Sequence, residues 1–163
     1  MAYKYRKIGN IMKKIKELYF KYEEIINYLI VGVLTTIVSW VAYGLSKFVL
    51  DVEHNSIHMQ IAVIIRWLAG VLFAYFTNRK YVFKSENPNK IKEFISFAGS
   101  RLFTYFMDAL IMAFVPGWLP EKFFGLTADW AATLISAVLV TITNYVLSKF
   151  LVFTKKNKEE HNE

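Results

Sequence analysis

Arg66, Arg101 and Asp108 stand inside otherwise apolar sequence, and two of the apolar runs close on Asn78 with Arg79 and on Asn144 with Lys149. A charge in hydrocarbon costs roughly a few kcal/mol unless it is paired or hydrated, so each of these positions calls for a partner or a task. Arg66 lies about nine residues inside the second apolar run, roughly 13 Å deep at the helical rise, and Asp108 lies about fourteen residues into the third, roughly 21 Å from its start. In a hydrocarbon core of roughly 30 Å, the two fall within about one helical turn in depth and can pair. That pair either fixes helix register or belongs to a pathway. Arg101, two turns before Asp108 on nearly the same face, is too deep for easy snorkelling. Together with Asn78, Arg79, Asn144 and Lys149 it makes a net-positive ladder suited to an anionic headgroup. Arg79 and Lys149 also fit a simpler role as basic anchors at the membrane boundary.

The same chain lacks the constellations of catalysis. It has no Gly-rich phosphate loop and no cysteine, so thiol chemistry, thiolate metal sites and disulfides are excluded. His54 and His58 stand four apart without a third ligand, which points to no metal site. No cofactor is expected, and the connecting loops are too short to house an active site. The expectation is a protein that is not an enzyme.

The elements that position the ladder follow from composition. Of 163 residues, 55% are hydrophobic and the mean hydropathy is +0.31, too apolar for an ordinary soluble domain. Four stretches can cross a bilayer, over residues 25–50, 57–78, 94–119 and 128–150, and continuous spans of that length must be helical. The fold class is therefore all-α: a polytopic membrane protein with four transmembrane helices.

An internal repeat divides the four into two hairpins. Phe76-Thr77-Asn78-Arg79-Lys80-Tyr81-Val82-Phe83 closes one, and Val146-Leu147-Ser148-Lys149-Phe150-Leu151-Val152-Phe153 closes the other; aligning the tails sets Tyr75 on Tyr145, Asn78 on Ser148 and Arg79 on Lys149. Matching Gly32 to Gly99 brings the opening runs into line. Duplicated hairpins are a common plan for proteins that move something across a bilayer. Small residues at four-residue spacing, such as Gly32 with Thr36, Gly70 with Ala74, Ser100 with Thr104, and Ala128, Ala132 and Ser136, predict close helix packing within the bundle.

Lys and Arg set the orientation. They crowd before the first span, between the second and third, and after the fourth, whereas the other two loops carry only Lys122. Both termini are expected on the cytoplasmic side. Ahead of the spans, Ile8, Ile11, Met12, Ile15, Leu18, Tyr19 and Tyr22 recur at helical spacing among lysines, which predicts an amphipathic interfacial helix over residues 1–24. The transmembrane domain occupies 25–153, and 154–163 reads as a disordered tail. Asn87-Pro88 signals the start of the third helix. The net charge of +7 sits at membrane boundaries, which favours anionic lipids over nucleic acid as the partner.

Four short spans with both ends inside, the second closing on Asn78-Arg79-Lys80-Tyr81-Val82-Phe83 after Ala74, resemble the GtrA-like family of small bacterial membrane proteins over about Tyr28 to Phe153. The second tail departs from the motif, with Ser148 in place of asparagine, Lys149 in place of arginine and Leu151 in place of the aromatic residue. The resemblance implies a place in the bacterial plasma membrane and translocation of a polyprenyl-phosphate-linked sugar, used by membrane glycosyltransferases to decorate cell-surface polymers such as teichoic acid or O-antigen. On that reading Arg79, Lys149 and Arg101 receive the phosphate while Asn78, Asn144 and Tyr75 contact the sugar, Arg101 leading because its planar fork suits phosphate. Two alternatives stay open. A small multidrug-type exporter would use Asp108, although the surrounding arginines give the wrong sign for a cation; a non-transporting scaffold for a glycosyltransferase would make the deep charges structural. Four helices enclose little space, which leaves open a homodimer with the pathway at its interface.

Overall fold

The computed structural model describes residues 2–123 and 125–154, with side chains from Met12 onward apart from position 15. Four helices are long and apolar enough to cross a membrane. The chain divides into two compact units, residues 1–84 and 85–163, and each is a helical hairpin followed by the same kind of terminal turn.

In the first unit α1 runs from Ala2 to Ser46 and α2 from Ser56 to Thr77. Helix α1 bends at Tyr22, whose backbone (φ −115°, ψ 17°) leaves the helical region. The expected boundary between residues 24 and 25 falls inside this one helix, close to the bend; the side chains of Ile8, Ile11 and Ile15 lie outside the described residues. The first span ends at Ser46 rather than residue 50, its hydroxyl turning back to the Tyr43 carbonyl at 2.7 Å. Asn55 starts α2 by accepting from the amides of Ile57 (2.9 Å) and His58 (3.2 Å), supplying the oxygen that unpaired N-terminal amides need. Gly70 marks a close approach of α1 and α2: a Cβ there would collide with Ser39 Oγ and sit 3.6 Å from Thr35 Cγ2. Gly32 behaves differently. A Cβ on it meets nothing within 4 Å, so among the described residues the Gly32–Thr36 face makes none of the expected packing.

In the second unit α3 spans Lys90–Phe114 and α4 spans Ala128–Leu147. The α3 cap is Asn89, two residues beyond the expected start signal, because Asn87 Oδ1 is engaged by the Asn89 amide (2.9 Å) while Asn89 Oδ1 accepts from Lys92 N–H (3.0 Å). Pro116 opens a 3₁₀ turn that ends α3 short of residue 119. The α3–α4 connection holds an antiparallel pair not expected from the sequence, β1 (Lys122–Phe123) with β2 (Leu126–Thr127), whose turn uses Gly125 at φ +80°. Two residues a side leave the architecture helical. Ala132 and Ser136 are buried, so this small-residue face does pack.

The basic-aromatic tails are the main departure from expectation. The spans expected to close at residues 78 and 150 run on: Asn78–Val82 and Ser148–Val152 each form a π turn that prolongs the preceding helix. Each closes on a five-residue hydrogen bond, Phe83 N–H to Asn78 O (2.9 Å) and Phe153 N–H to Ser148 O (2.8 Å). The wider turn brings Val82 with Phe83, and Val152 with Phe153, into burial. Phe83 then meets Tyr28 of α1 (ring centroids 6.3 Å), and Phe153 meets Phe97 of α3 (5.7 Å). These ring pairs equate Tyr28 with Phe97, a register two residues away from the Gly32–Gly99 alignment, which sets Gly32 against Arg101 instead.

Candidate polar stations of the two hairpins

At the open end of the first hairpin, Tyr75, Asn78 and Arg79 occupy positions i, i+3 and i+4 and so share one helix face. Tyr75 and Asn78 are buried and Arg79 half-buried. The Arg79 guanidinium reaches the Tyr75 hydroxyl at 3.5 Å. Asn78 donates its side-chain N–H to the Ala74 carbonyl at 2.7 Å. Its Oδ1 is buried without a hydrogen-bond partner. Of the motif residues, Ala74, Asn78, Arg79, Val82 and Phe83 are thus drawn together, while Tyr81 is exposed on the far side with Lys80 5.1 Å from its ring centroid.

The second hairpin repeats the arrangement with different side chains. Tyr145, Ser148 and Lys149 hold the same three positions; Lys149 Nζ lies 3.1 Å from the Tyr145 hydroxyl and 5.4 Å from its ring centroid. Ser148 is fully buried, and its Oγ is without a partner. A buried polar atom left unpaired costs about 1–3 kcal/mol. The fold carries that cost twice, at matching positions.

Above this station the second hairpin holds a file of polar side chains between α3 and α4. Arg101 is half-buried with its guanidinium carbon 4.6 Å from the centroid of Phe97, itself fully buried and backed by Phe153. A cation over a desolvated ring gains about 1–2 kcal/mol, so Phe97 orients as well as packs. One turn on, the Thr104 hydroxyl donates to Asn144 Oδ1 at 2.8 Å, leaving the Asn144 amino group as the donor it presents. Two turns from Arg101, Ser136 donates to the Asp108 carboxylate. In the first hairpin, Arg66 is exposed on α2 and lies 5.9 Å from the ring centroid of Tyr43. Arg66 and Asp108 therefore each have a contact inside their own unit, and their mutual pairing stands as a proposal.

Five residues at these stations are not site candidates on sequence alone: Phe97, Thr104, Ser136, Tyr145 and Ser148, of which Thr104 and Ser136 stand there only as small packing residues. Tyr145 was signalled by the repeat that aligned it with Tyr75, and Phe97 by its four-residue spacing from Arg101. Glu93 is a further buried group, in the first turn of α3, accepting from Ser85 Oγ at 2.7 Å and so tying down the segment that enters α3. Among the described residues no cluster of three His, Asp or Glu side chains is placed to hold a metal ion. What the stations offer chemically is cations, amides and hydroxyls at helix depth.

The profile of the family described as GtrA/DPMS, transmembrane domain, matches residues 27–153. The chain is 40% identical over 132 residues to a cell wall teichoic acid glycosylation protein, GtcA, of Listeria innocua serovar 6a, covering 79% of this chain and 83% of that one. A GtcA of Listeria monocytogenes serovar 1/2a is 38% identical over 135 residues, covering 81% and 86%. A bactoprenol-linked glucose translocase of Shigella phage SfII is 25% identical over 130 residues, covering 78% and 92%. No solved structure gives a significant match.

Proposed function

Because this chain belongs to the GtrA/DPMS transmembrane-domain family, we propose that it is a translocase that carries a polyprenyl-phosphate-linked sugar from the inner to the outer leaflet for glycosylation of a cell-surface polymer. The relatives support this reading through their names, one set for teichoic acid glycosylation and the other for translocation of bactoprenol-linked glucose. The observation that carries it is the polar file of the second hairpin, which provides what such a lipid needs. Its phosphate requires a cation, met by Arg101; its sugar requires amide and hydroxyl partners, met by Asn144 and Thr104. The prenyl tail needs no pocket, since it can stay in lipid.

The protein works in the bacterial plasma membrane with both termini in the cytoplasm, an orientation supported by the one-sided Lys and Arg distribution. Each hairpin then has its open end, with the cation–tyrosine pair, at the inner leaflet where the lipid-linked sugar is made. Glycosyltransferases on the outer face consume it. No step here makes or breaks a covalent bond, so the protein is not an enzyme. A scaffold would need no cation at the depth of Arg101, and an exporter of organic cations would be opposed by it.

Arg101 provides the test in cells. Arg101→Gln leaves the protein inserted at normal abundance, abolishes glycosylation of the surface polymer and lets lipid-linked sugar accumulate on the inner leaflet. Arg101→Lys recovers only part, because ammonium lacks the planar fork that grips two phosphate oxygens. Normal glycosylation in Arg101→Gln would favour the scaffold.

A further inference from the structure

The two open-end stations share a backbone and differ in what their side chains ask for. Both sit on a π turn, a local geometry that recurs at functional sites, and both place a cation against a tyrosine hydroxyl one turn back. Both also hold a buried polar atom without a partner, and here the chemistry divides. Asn78 Oδ1 is a carbonyl oxygen that can only accept, so the ligand group that would complete it must bring a donor. Ser148 Oγ carries a proton and can complete itself on an acceptor. The cations divide the same way: Arg79 offers a planar fork matched to two oxygens, and Lys149 a compact point charge.

A sugar joined through a phosphodiester presents hydroxyl donors beside a singly charged phosphate with two free oxygens. A phosphomonoester without sugar presents three terminal oxygens, all acceptors, and a charge nearer −2. The first matches Asn78 with Arg79, and the second matches Ser148 with Lys149. Resting on the translocase reading above, we propose that the two hairpins hold different lipids: Tyr75, Asn78 and Arg79 take the sugar-bearing polyprenyl phosphodiester, and Tyr145, Ser148 and Lys149 take the sugar-free polyprenyl phosphate. Glycosyl transfer on the outer face breaks the bond between sugar and phosphate and leaves that monoester as its product. A chain with one station for each lipid is equipped to bind the returning carrier as well as the outgoing one.

The test is binding of two probes, polyprenyl phosphate and polyprenyl phosphate glucose, to the full-length protein in nanodiscs, with stoichiometry read by native mass spectrometry. The wild type binds one of each at the same time. Losing a charged hydrogen bond weakens binding by about tenfold or more. Lys149→Gln and Ser148→Ala therefore weaken the sugar-free lipid by that factor and leave the sugar-bearing lipid nearly unchanged, while Arg79→Gln does the reverse. Ser148→Asn combined with Lys149→Arg converts the second station and gives two equivalents of bound sugar-lipid. Inorganic phosphate distinguishes a lipid station from a site for the free ion: millimolar phosphate leaves both lipids bound, and its displacing the sugar-free probe would overturn the assignment. Competition of the two lipids for a single equivalent would overturn it too, as would equal weakening of both by Lys149→Gln. If the lipids compete but vesicles still show translocation of the sugar-lipid, the two-station inference fails and the translocase reading survives. If each lipid binds at its own station and neither crosses, the translocase reading is the one that falls.

Discussion

A guanidinium inside an apolar helix is defined by its neighbours, and Arg66 and Arg101 have different ones. Arg101 lies over a buried ring that Phe153 holds from behind, so its direction is set by the same aromatic contact that closes the hairpin. Arg66 lies near Tyr43 on an exposed face of the first hairpin, and Asp108, which the sequence sets at a comparable depth, accepts from Ser136 within the second. The proposed pairing of Arg66 with Asp108 can be decided by a double-mutant cycle. Breaking a desolvated ion pair at one end costs roughly 3–5 kcal/mol, whereas replacing both partners by apolar groups of similar size is near neutral. Arg66→Met and Asp108→Leu singly should lower the amount of folded protein in the membrane, and the double variant should restore it. Full glycosylation in the double variant assigns the pair to structure, and an abundant but inactive double variant assigns it to the pathway; additive losses in abundance would refute the pairing.

Each helix obeys local rules that the sequence states openly, and the π turns obey one that it does not. The spans were legible because apolar runs of that length have no alternative to helix in lipid, and Asn55 marks the start of α2 by its side-chain oxygen. The repeat and the basic anchors of the two tails are legible in the sequence, but their π geometry is not. Nothing in Asn78-Arg79-Lys80-Tyr81-Val82 distinguishes a five-residue from a four-residue hydrogen-bond ladder; the choice is made by burial of Val82 and Phe83 against α1, a tertiary effect. The same limit governed the register of the halves, since glycines suggested one alignment and ring contacts give another. Cross-helix polar pairs such as Thr104 with Asn144 were invisible for the same reason. Small-residue faces illustrate both outcomes, with Gly70 packed against Ser39 and Gly32 open. In a membrane, helices associate through close packing rather than through hydrophobic burial, so space at Gly70 matters. Gly70→Leu should push α1 from α2 and reduce the folded fraction sharply, and Gly32→Leu should not. Equal tolerance, measured by detergent stability of the purified variants, would contradict the assigned contact.

Across the whole chain the duplication is one of backbone plan, and its chemistry is uneven. With Tyr28 set on Phe97 and Asn78 on Ser148, Arg101 corresponds to Gly32, Asp108 to Ser39 and Asn144 to Ala74. The first hairpin thus lacks the deep file of the second but carries the stronger motif at its open end, with asparagine and arginine where the second has serine and lysine. Two identical halves would offer a lipid the same environment twice. On the proposed reading, unequal halves hold one lipid differently from another. On the proposed function, this protein alone moves a lipid-linked sugar between leaflets. Reconstitution of the purified full-length chain into vesicles with polyprenyl phosphate glucose labelled in the sugar tests it most directly, by following how much label an impermeant periodate reagent can oxidise over time. The account predicts that about half of the label is accessible in protein-free vesicles and nearly all of it in vesicles containing the protein, with Arg101→Gln returning the rate to the protein-free level. Accessibility that stays at one leaflet's share in the presence of abundant, folded wild-type protein would contradict it.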